Sequence, residues 1–205
     1  GSSGVRLLIA EAVKGRWRSL ETLEKTCDLG HDVFLEGEIC EETYQSVVEI
    51  LVLYLEHLKS WGLAMKDLHC VATSAVREAS NRDMFIERVQ LRTGLKFRIL
   101  EGMEANYLTY RAVDSALKGK WPLKQSSSII VEASGGATEV MLLNRGVMVG
   151  AHSLPLGTVR LDHQLRGGVE SKNFIRNFLV QHVEQASQQF ETEFPLKNVR
   201  HFLAL

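Results

Sequence analysis

The sequence Ile-Ile-Val-Glu-Ala-Ser-Gly-Gly-Ala-Thr-Glu-Val at residues 129–140 places a Ser-Gly-Gly turn between two apolar strands. Carboxylates flank the turn on both sides, at Glu132 and Glu139. Backbone N–H groups can approach a phosphate chain at such a turn, because glycine has no Cβ, and the carboxylates can hold a hydrated Mg²⁺. A plain β-hairpin whose glycines supply positive φ angles explains the same residues. The stretch therefore predicts a hairpin and leaves its function open.

The composition is that of a folded protein with balanced charge. The 205 residues include 24 Lys and Arg against 25 Asp and Glu, and 45% are hydrophobic. This excludes disorder over most of the chain. The formal net charge of −1 argues against a general nucleic-acid-binding protein, while a local basic pocket for a phosphorylated small molecule stays compatible with it.

The cysteines and the apolar runs argue against a disulfide framework, a zinc site and a membrane span. Cys27, Cys40 and Cys70 show neither Cys-x-x-Cys spacing nor grouping with His, so we predict no disulfide framework and no zinc site. A reducing cytoplasm is the simplest location. No apolar run reaches the ~18 residues that a membrane span needs.

Strand and helix patterns alternate along the chain, which predicts an α/β fold with parallel pairing. Strands are predicted at 5–11, 17–25, 67–73, 96–100, 129–131, 138–143, 146–153 and 199–205, and helices at 41–61, 81–92, 102–117 and 171–191. The first two strands form a hairpin. A change of composition at 118–128 predicts a boundary between lobes. The apolar strand at 199–205 has no turn or polar tail after it, which suggests a fragment of a longer protein.

Two further segments offer groups for chemistry. Residues 73–79, Thr-Ser-Ala-Val-Arg-Glu-Ala, follow a predicted buried strand, where α/β folds place ligand sites. Their hydroxyls and the Arg77 guanidinium suit a phosphate, although a capped helix start with a surface ion pair is an alternative. Residues 153–161, Ser-Leu-Pro-Leu-Gly-Thr-Val-Arg-Leu, predict an irregular loop after a strand.

Taken together, these segments resemble the exopolyphosphatase and guanosine pentaphosphate phosphohydrolase (Ppx/GppA) family of the sugar kinase, heat-shock protein and actin superfamily. The most specific pieces are residues 71–81, the Gly-Gly turn with Thr138 and Glu139, and residues 153–161. The resemblance implies an actin-like (ribonuclease H-like) α/β fold with two lobes, mixed sheets flanked by helices, and an active site in the cleft between the lobes. The first lobe would span 1–120 without its first strand, and the second would be an incomplete lobe at 126–205.

The resemblance also assigns roles to individual residues. The opening Gly-Ser-Ser-Gly, which otherwise looks like an expression scar, resembles the family's first phosphate-binding loop. Glu104 and Glu139 would be catalytic, and Glu132 and Glu139 would hold Mg²⁺. The expected partner is polyphosphate or guanosine tetra- or pentaphosphate, with neither nucleic acid nor membrane, and the full-length bacterial protein would be a cytoplasmic homodimer. Phosphate would be bound by Ser2, Ser3, Gly4, Ser74, Arg77, Ser134, Gly135 and Gly136.

Two departures from the family pattern bear on activity. Where the family usually has Asp-Ile-Gly-Gly-Gly-Ser-Thr-Glu, residues 132–139 are Glu-Ala-Ser-Gly-Gly-Ala-Thr-Glu. The Glu that activates water in the pattern Ser-Gly-x-Glu-Glu-Ala-Arg aligns with Ala105, and Glu104 is offset from that position by about 100° on a helix.

Three hypotheses remain open. An active hydrolase of terminal phosphoanhydrides retains the phosphate loops, whereas a non-catalytic phosphate-binding or regulatory module fits the loss of the Glu at position 105. Phosphate cradles act by electrostatic positioning and survive the loss of a base. The third hypothesis is a lobe that serves dimerisation, or a relative of nucleotide kinases.

Overall fold

The computed structural model describes residues 1–117, 125–166, 172–193 and 199–205. Contacts between Cα atoms divide the chain into two compact units, Gly1–Leu100 and Glu101–Leu205. The predicted linker, 118–128, lies mostly outside the described residues. The helix predicted at 102–117 groups with the second unit, and the lobes at 1–120 and 126–205 stay a prediction.

The first unit opens with the predicted hairpin. Strands β1 (Gly4–Val13) and β2 (Arg16–Thr26) pair antiparallel, with a bulge after Ile9. Lys14 and Gly15 connect them with φ angles of 50° and 73°. Positive φ at both central residues is the mark of a type I′ turn, whose twist matches that of the flanking strands.

Four helices follow in the first unit, and the second of them packs on this hairpin, where the Tyr54 hydroxyl donates to the Val5 carbonyl at 3.1 Å. Helix α1 is Leu29–Glu36, α2 is Glu41–Ser60, α3 is Ser74–Glu78 and α4 is Arg82–Thr93. The spacing of three and four between apolar residues predicts α2, and its apolar stripe lies in the core. The sequence does not predict the short helix α1, and it offers α3 only as the alternative of a helix start at 73–79.

A short parallel pair completes the first unit. Strands β3 (Cys70–Ala72) and β4 (Phe97–Ile99) lie side by side in parallel, as predicted. The strand predicted at 67–73 is shorter in the structure, because Met65–Asp67 forms a 3₁₀ turn that the Asp67 carboxylate closes by accepting from the Ala64 amide.

The second unit is built on a four-stranded mixed sheet in the order β7-β6-β5-β8. Strands β5 (Ser127–Ala133), β6 (Thr138–Asn144) and β7 (Val147–Leu154) follow one another as antiparallel hairpins, and β8 (Val199–Ala204) pairs parallel with β5. The antiparallel pairs agree with the hairpin predicted for residues 129–140, since their connections are too short for a crossover, and β8 adds the parallel neighbour of a mixed sheet.

Three helices accompany the sheet: α5 (Gly102–Leu117), α6 (Thr158–Arg166) and α7 (Lys172–Glu193). The irregular loop predicted at 153–161 is wrong in its second half, where Thr158 begins α6. Among the described residues, no helix is long and apolar enough to cross a membrane.

Successive side chains along each strand point to opposite faces of the sheet. Ile130, Met141 and Leu143 are fully buried and pack against Val113 of α5. Moving along the same face towards the β5–β6 turn, the next positions after Ile130 and Met141 are Glu132 and Glu139. The apolar row that faces α5 therefore ends in two carboxylates. The other face carries Ile129, Val140, Leu142 and Leu154.

Candidate functional site

The two carboxylates are direct partners across the β5–β6 pair. Glu132 lies opposite Glu139 in the register, so both side chains leave the sheet on one face. Side chains in such a position have Cβ atoms about 4.5–5.5 Å apart, and like charges there are destabilising. Both residues are half-buried. The fold therefore tolerates a concentrated negative charge at the end of the hairpin.

Neutral donors hold both carboxylates in place. On α5, the Asn106 side-chain amide donates to Glu139 Oε2 at 3.0 Å, and the Thr109 hydroxyl donates to Glu132 Oε2 at 2.9 Å. Ser153 on β7 donates to Glu139 Oε1 at 2.8 Å. Within the described part of the chain, no Lys, Arg or His forms an ion pair with either carboxylate. The pair is oriented but its charge is not balanced by a cation.

The Ser-Gly-Gly turn follows directly at the end of β5. Ser134 closes it, since its amide and its hydroxyl both donate to the Ala137 carbonyl at 2.9 Å. Neither Gly135 nor Gly136 has a positive φ angle. The alternative of a hairpin whose glycines supply positive φ is therefore wrong in its reason, although the hairpin itself is present.

Helix α6 binds the carbonyl side of this turn. The amides of Thr158 and Val159 donate to the carbonyl oxygens of Ser134 and Gly135 at 2.9 and 3.0 Å. Gly136, whose carbonyl accepts from Arg160 Nε at 3.1 Å, is held in the same way.

The amides of the turn belong to residues of low exposure, since Gly135 is half-buried and Gly136 is buried. In the described ranges, the N–H groups of Gly135 and Gly136 donate to no other residue. Donors on the α6 side polarise the peptide groups of the turn, because hydrogen bonds in a chain strengthen one another. The free amides are therefore suited to an anionic acceptor such as a phosphate oxygen.

Gly157 allows α6 to approach the turn so closely. A Cβ at this position would lie 2.2 Å from the Gly136 carbonyl carbon and 2.3 Å from the Gly135 carbonyl oxygen. Both are backbone atoms, which cannot move aside like the end of a side chain. In the sequence, Gly157 is marked only as a Gly in a predicted loop, directly before the residue at which α6 begins.

Ala105 and Glu104 lie on different sides of helix α5. Ala105 precedes Asn106 and lies four residues before Thr109, so it belongs to the helix side that contacts the carboxylate pair. Glu104 lies roughly 160° around the helix from Asn106. The structure thus does not bring Glu104 together with Glu139, and its catalytic role stays a prediction.

The opening Gly-Ser-Ser-Gly is an integral part of the first unit. Ser2 is buried, and its carbonyl accepts from the Gly30 amide of α1 at 2.8 Å. The Ser3 carbonyl accepts from the Cys27 amide at 3.3 Å. At Gly4, a Cβ would lie 2.3 Å from the Lys25 carbonyl oxygen. The segment packs closely between β2 and α1, and its contact with phosphate stays a prediction.

Arg77 makes a contact that neither sequence interpretation included. It lies in α3, and its guanidinium donates to the Leu100 carbonyl at 2.7 Å, beyond the end of β4. The alternative of a capped helix start with an ion pair is right about the helix start, since α3 begins at Ser74, but Thr73 makes no side-chain cap bond and Arg77 forms no ion pair with any described residue. One of five guanidinium donors is used by this bond. Ser74 begins the same helix and is half-buried.

The donor set of the second unit fits Mg²⁺. Among the described residues, no group of three or more His, Cys, Asp or Glu could hold a metal ion. Mg²⁺ does not need one, since it is usually bound by one or two carboxylates, with water and phosphate oxygens as the other ligands. Two carboxylates side by side, with no ion pair to a described residue and next to backbone N–H groups that have no partner in the described ranges, meet that description.

Comparison with known proteins decides the family. The model of the Ppx/GppA phosphatase family matches residues 8–201. The chain belongs to this family. It is 31% identical over 169 residues to Exopolyphosphatase 1 of Mycobacterium leprae, covering 80% of this chain and 47% of that protein. It is 27% identical over 194 residues to the bifunctional 3-dehydroquinate synthase/phosphatase of Fusobacterium nucleatum, covering 90% of this chain and 27% of that protein. The chain therefore spans about half, or less, of the length of these curated relatives.

Solved structures share the fold. An exopolyphosphatase from Cytophaga hutchinsonii superposes with a TM-score of 0.86 at 20% identity, over 100% of this chain and 64% of that one. The Ppx/GppA family member of Aquifex aeolicus gives a TM-score of 0.72 at 23% identity, over 99% of this chain and 62% of that one. The expected class, α/β with mixed sheets flanked by helices, is confirmed.

Proposed function

We propose that this member of the Ppx/GppA phosphatase family is a Mg²⁺-dependent phosphohydrolase that releases the terminal phosphate of polyphosphate or guanosine pentaphosphate. The observation that carries the proposal is the carboxylate pair of Glu132 and Glu139 beside a turn with two free backbone donors. A phosphoanhydride carries dense negative charge, so it needs both a cation and hydrogen-bond donors. The second unit offers carboxylate ligands for the cation, and the backbone amides of its turn are the hydrogen-bond donors.

The chain's own residues would act mainly by positioning. Glu132 and Glu139 would hold Mg²⁺, which neutralises charge on the phosphoryl oxygens. The amides of Gly135 and Gly136 would bind the terminal phosphate, and Ser134 would keep the turn closed. Phosphoryl transfer requires little covalent chemistry from the protein, because positioning and electrostatic stabilisation supply most of the rate.

The first unit would add contacts to phosphate oxygens. By resemblance, these come from Ser2, Ser3, Gly4, Ser74 and Arg77. For Arg77 the structure adds a physical argument: its bond to the Leu100 carbonyl fixes the guanidinium and leaves other donors for a ligand. A homodimer and a cytoplasmic location also stay predictions of the resemblance.

Position 105 supports a second candidate function. Ala105 lies on the helix side that contacts the carboxylate pair, where the family pattern has a water-activating Glu. A carboxylate that orients and deprotonates water contributes ~10²–10⁴ in rate. Without it, the same site would bind polyphosphate or a guanosine polyphosphate and release little phosphate, as a regulatory module does.

One paired measurement separates the two functions. Phosphate release from medium-chain polyphosphate and from guanosine pentaphosphate is followed with Mg²⁺, and binding of both ligands is measured by calorimetry on the same protein. Release above that of a Glu132→Gln/Glu139→Gln control supports the hydrolase. Binding without release supports the module, and the absence of both contradicts the proposal.

Two substitutions on α5 identify the base. Ala105→Glu should raise turnover, because it places a carboxylate on the side of the helix that contacts the pair. Glu104→Gln should abolish activity only if Glu104 orients the water. If neither substitution changes turnover in a folded, ligand-binding protein, the alignment of this helix with the family pattern is wrong.

A further inference from the structure

We propose that Asn106 is a positioning residue that fixes Glu139 for Mg²⁺ binding. The inference rests on the proposed function, since it concerns the same carboxylate pair. Asn106 is 5% exposed and lies on α5, with its amide nitrogen 3.0 Å from Glu139 Oε2. An ionised carboxylate only accepts hydrogen bonds, so the amide nitrogen of Asn106, and not its oxygen, must face it.

The carboxylate of Glu139 is fixed from two elements. Asn106 of α5 holds Oε2, and Ser153 of β7 holds Oε1. The terminal torsion of a Glu side chain is broad, so a free carboxylate samples many orientations. Donors on both oxygens remove that freedom and set the plane of the group before a cation arrives. Neither donor carries a charge, so neither competes with a cation for the carboxylate.

Asn106 is a polar residue on a largely apolar side of α5. The helix side that carries it also carries Val113, which packs in the apolar core of the second unit. A buried amide is costly unless its hydrogen bonds are made. The family pattern has Ala at this position, whereas this chain combines Ala105 with Asn106. An amide in place of a methyl group is explained by its bond to Glu139.

Thr109, one helical turn after Asn106, orients the Glu132 carboxylate in the same way. Its hydroxyl donates at 2.9 Å, so α5 contacts each member of the carboxylate pair once. Removing an outer-shell partner of a metal ligand typically costs 10–100-fold in metal affinity or activity. We therefore expect Mg²⁺ affinity to depend on α5, although no α5 side chain is assigned as a ligand.

Mg²⁺ affinity, measured by calorimetry on the protein without phosphate ligand, tests this inference directly. Asn106→Leu removes the donor at similar volume and should weaken Mg²⁺ binding 10–100-fold. Ser153→Ala removes an exposed donor to the same carboxylate and should have a smaller effect. Val113→Ala is the matched control on α5, because it should lower the unfolding temperature without changing the affinity for Mg²⁺.

The outcomes separate this inference from the proposed function. Binding of Mg²⁺ by Asn106→Leu with native affinity overturns the positioning role and leaves the proposed function standing. A native protein that binds no Mg²⁺, either alone or with inorganic phosphate present, overturns both. If Asn106→Leu does not fold, Asn106→Ser replaces it: the shorter hydroxyl cannot reach Oε2, so the same loss is expected, and native affinity in that variant overturns the role.

Discussion

The two units of the protein treat their carboxylates in opposite ways. In the first unit, Arg88 binds both oxygens of Glu41 at 2.7 and 2.9 Å and lies 3.8 Å from the centre of the Tyr44 ring. These bonds lower the pKa of the Glu41 carboxyl to about 2. In the second unit, Glu132 and Glu139 face each other, and the side chains that bind them within the described ranges are neutral donors.

The difference distinguishes a structural carboxylate from one suited to a ligand. The bidentate pair of Glu41 and Arg88 joins α2 to α4, and both charges are satisfied within the fold. The pair of Glu132 and Glu139 pays an electrostatic penalty that no described residue offsets. We infer that a fold which orients such a pair, without a neutralising cation from any described residue, is suited to an external cation.

The largest effect is expected for Glu139→Gln. The substitution keeps the size of the side chain and removes its charge, so turnover on polyphosphate with Mg²⁺ should fall by at least about 100-fold. The exposed Glu184 of α7 provides the matched control, since Glu184→Gln makes the same chemical change away from the hairpin. Equal turnover of both variants would place the site elsewhere.

Gly157→Ala should have the next largest effect. The added methyl group meets backbone atoms of the Ser-Gly-Gly turn within 2.3 Å, so α6 and the turn must separate. Such overpacking costs about 1–3 kcal/mol, and polyphosphate affinity should fall with the distortion of Gly135 and Gly136. Gly102→Ala is the control, because a Cβ there meets nothing within 4 Å. Native affinity in a folded Gly157→Ala protein contradicts the role of this contact.

A more moderate loss is expected for Arg77→Ala. A charge-assisted contact to phosphate is worth about 1–3 kcal/mol, so affinity for polyphosphate should fall about 10-fold or more. Arg77→Lys keeps the charge but not the fork of donors and should recover part of the loss. Thermal unfolding of both variants accounts for the bond to the Leu100 carbonyl. An unchanged affinity in Arg77→Ala removes this residue from the ligand contacts.

The smallest effect is expected for Glu41→Gln, which changes the carboxylate that is paired with Arg88. Because the pKa of Glu41 is lowered from 4.5 to about 2, its pair with Arg88 stabilises the fold above pH 4.5, and this stabilisation is lost as the pH falls towards 2. Glu41→Gln should therefore lower the urea midpoint slightly at pH 7, and the difference from the native protein should shrink at pH 3. Glu42→Gln, at the exposed neighbouring position, is the control. A difference that grows at pH 3 contradicts this assignment, and turnover should not change in either variant.

Local patterns in the sequence were enough for most of the fold. The apolar spacing of α2 and the Lys14-Gly15 turn are short-range signals, and both predictions are confirmed. Helix α6 was missed because Pro155 and Gly157 suggest a turn. Its first amides donate to carbonyl oxygens of the Ser-Gly-Gly turn, which is a long-range contact that local patterns do not indicate.

The candidate site was predictable in part. Glu132, Glu139 and the Ser-Gly-Gly turn are neighbours in the sequence, so their proximity follows from the hairpin. Asn106 is 33 residues from Glu139, and no pattern in the sequence indicates that bond. Contacts of this kind depend on how α5 packs on the sheet, which local periodicity does not specify.

The most direct test of the contrast is a calorimetric titration with Mg²⁺ of three proteins: the native chain, Glu132→Gln/Glu139→Gln and Glu41→Gln. We expect one Mg²⁺ site in the native protein, its loss in the double variant and its full retention in Glu41→Gln. Mg²⁺ binding that survives in the double variant, or that is absent from the native protein, would contradict the claim that the hairpin carboxylates are kept for a cation.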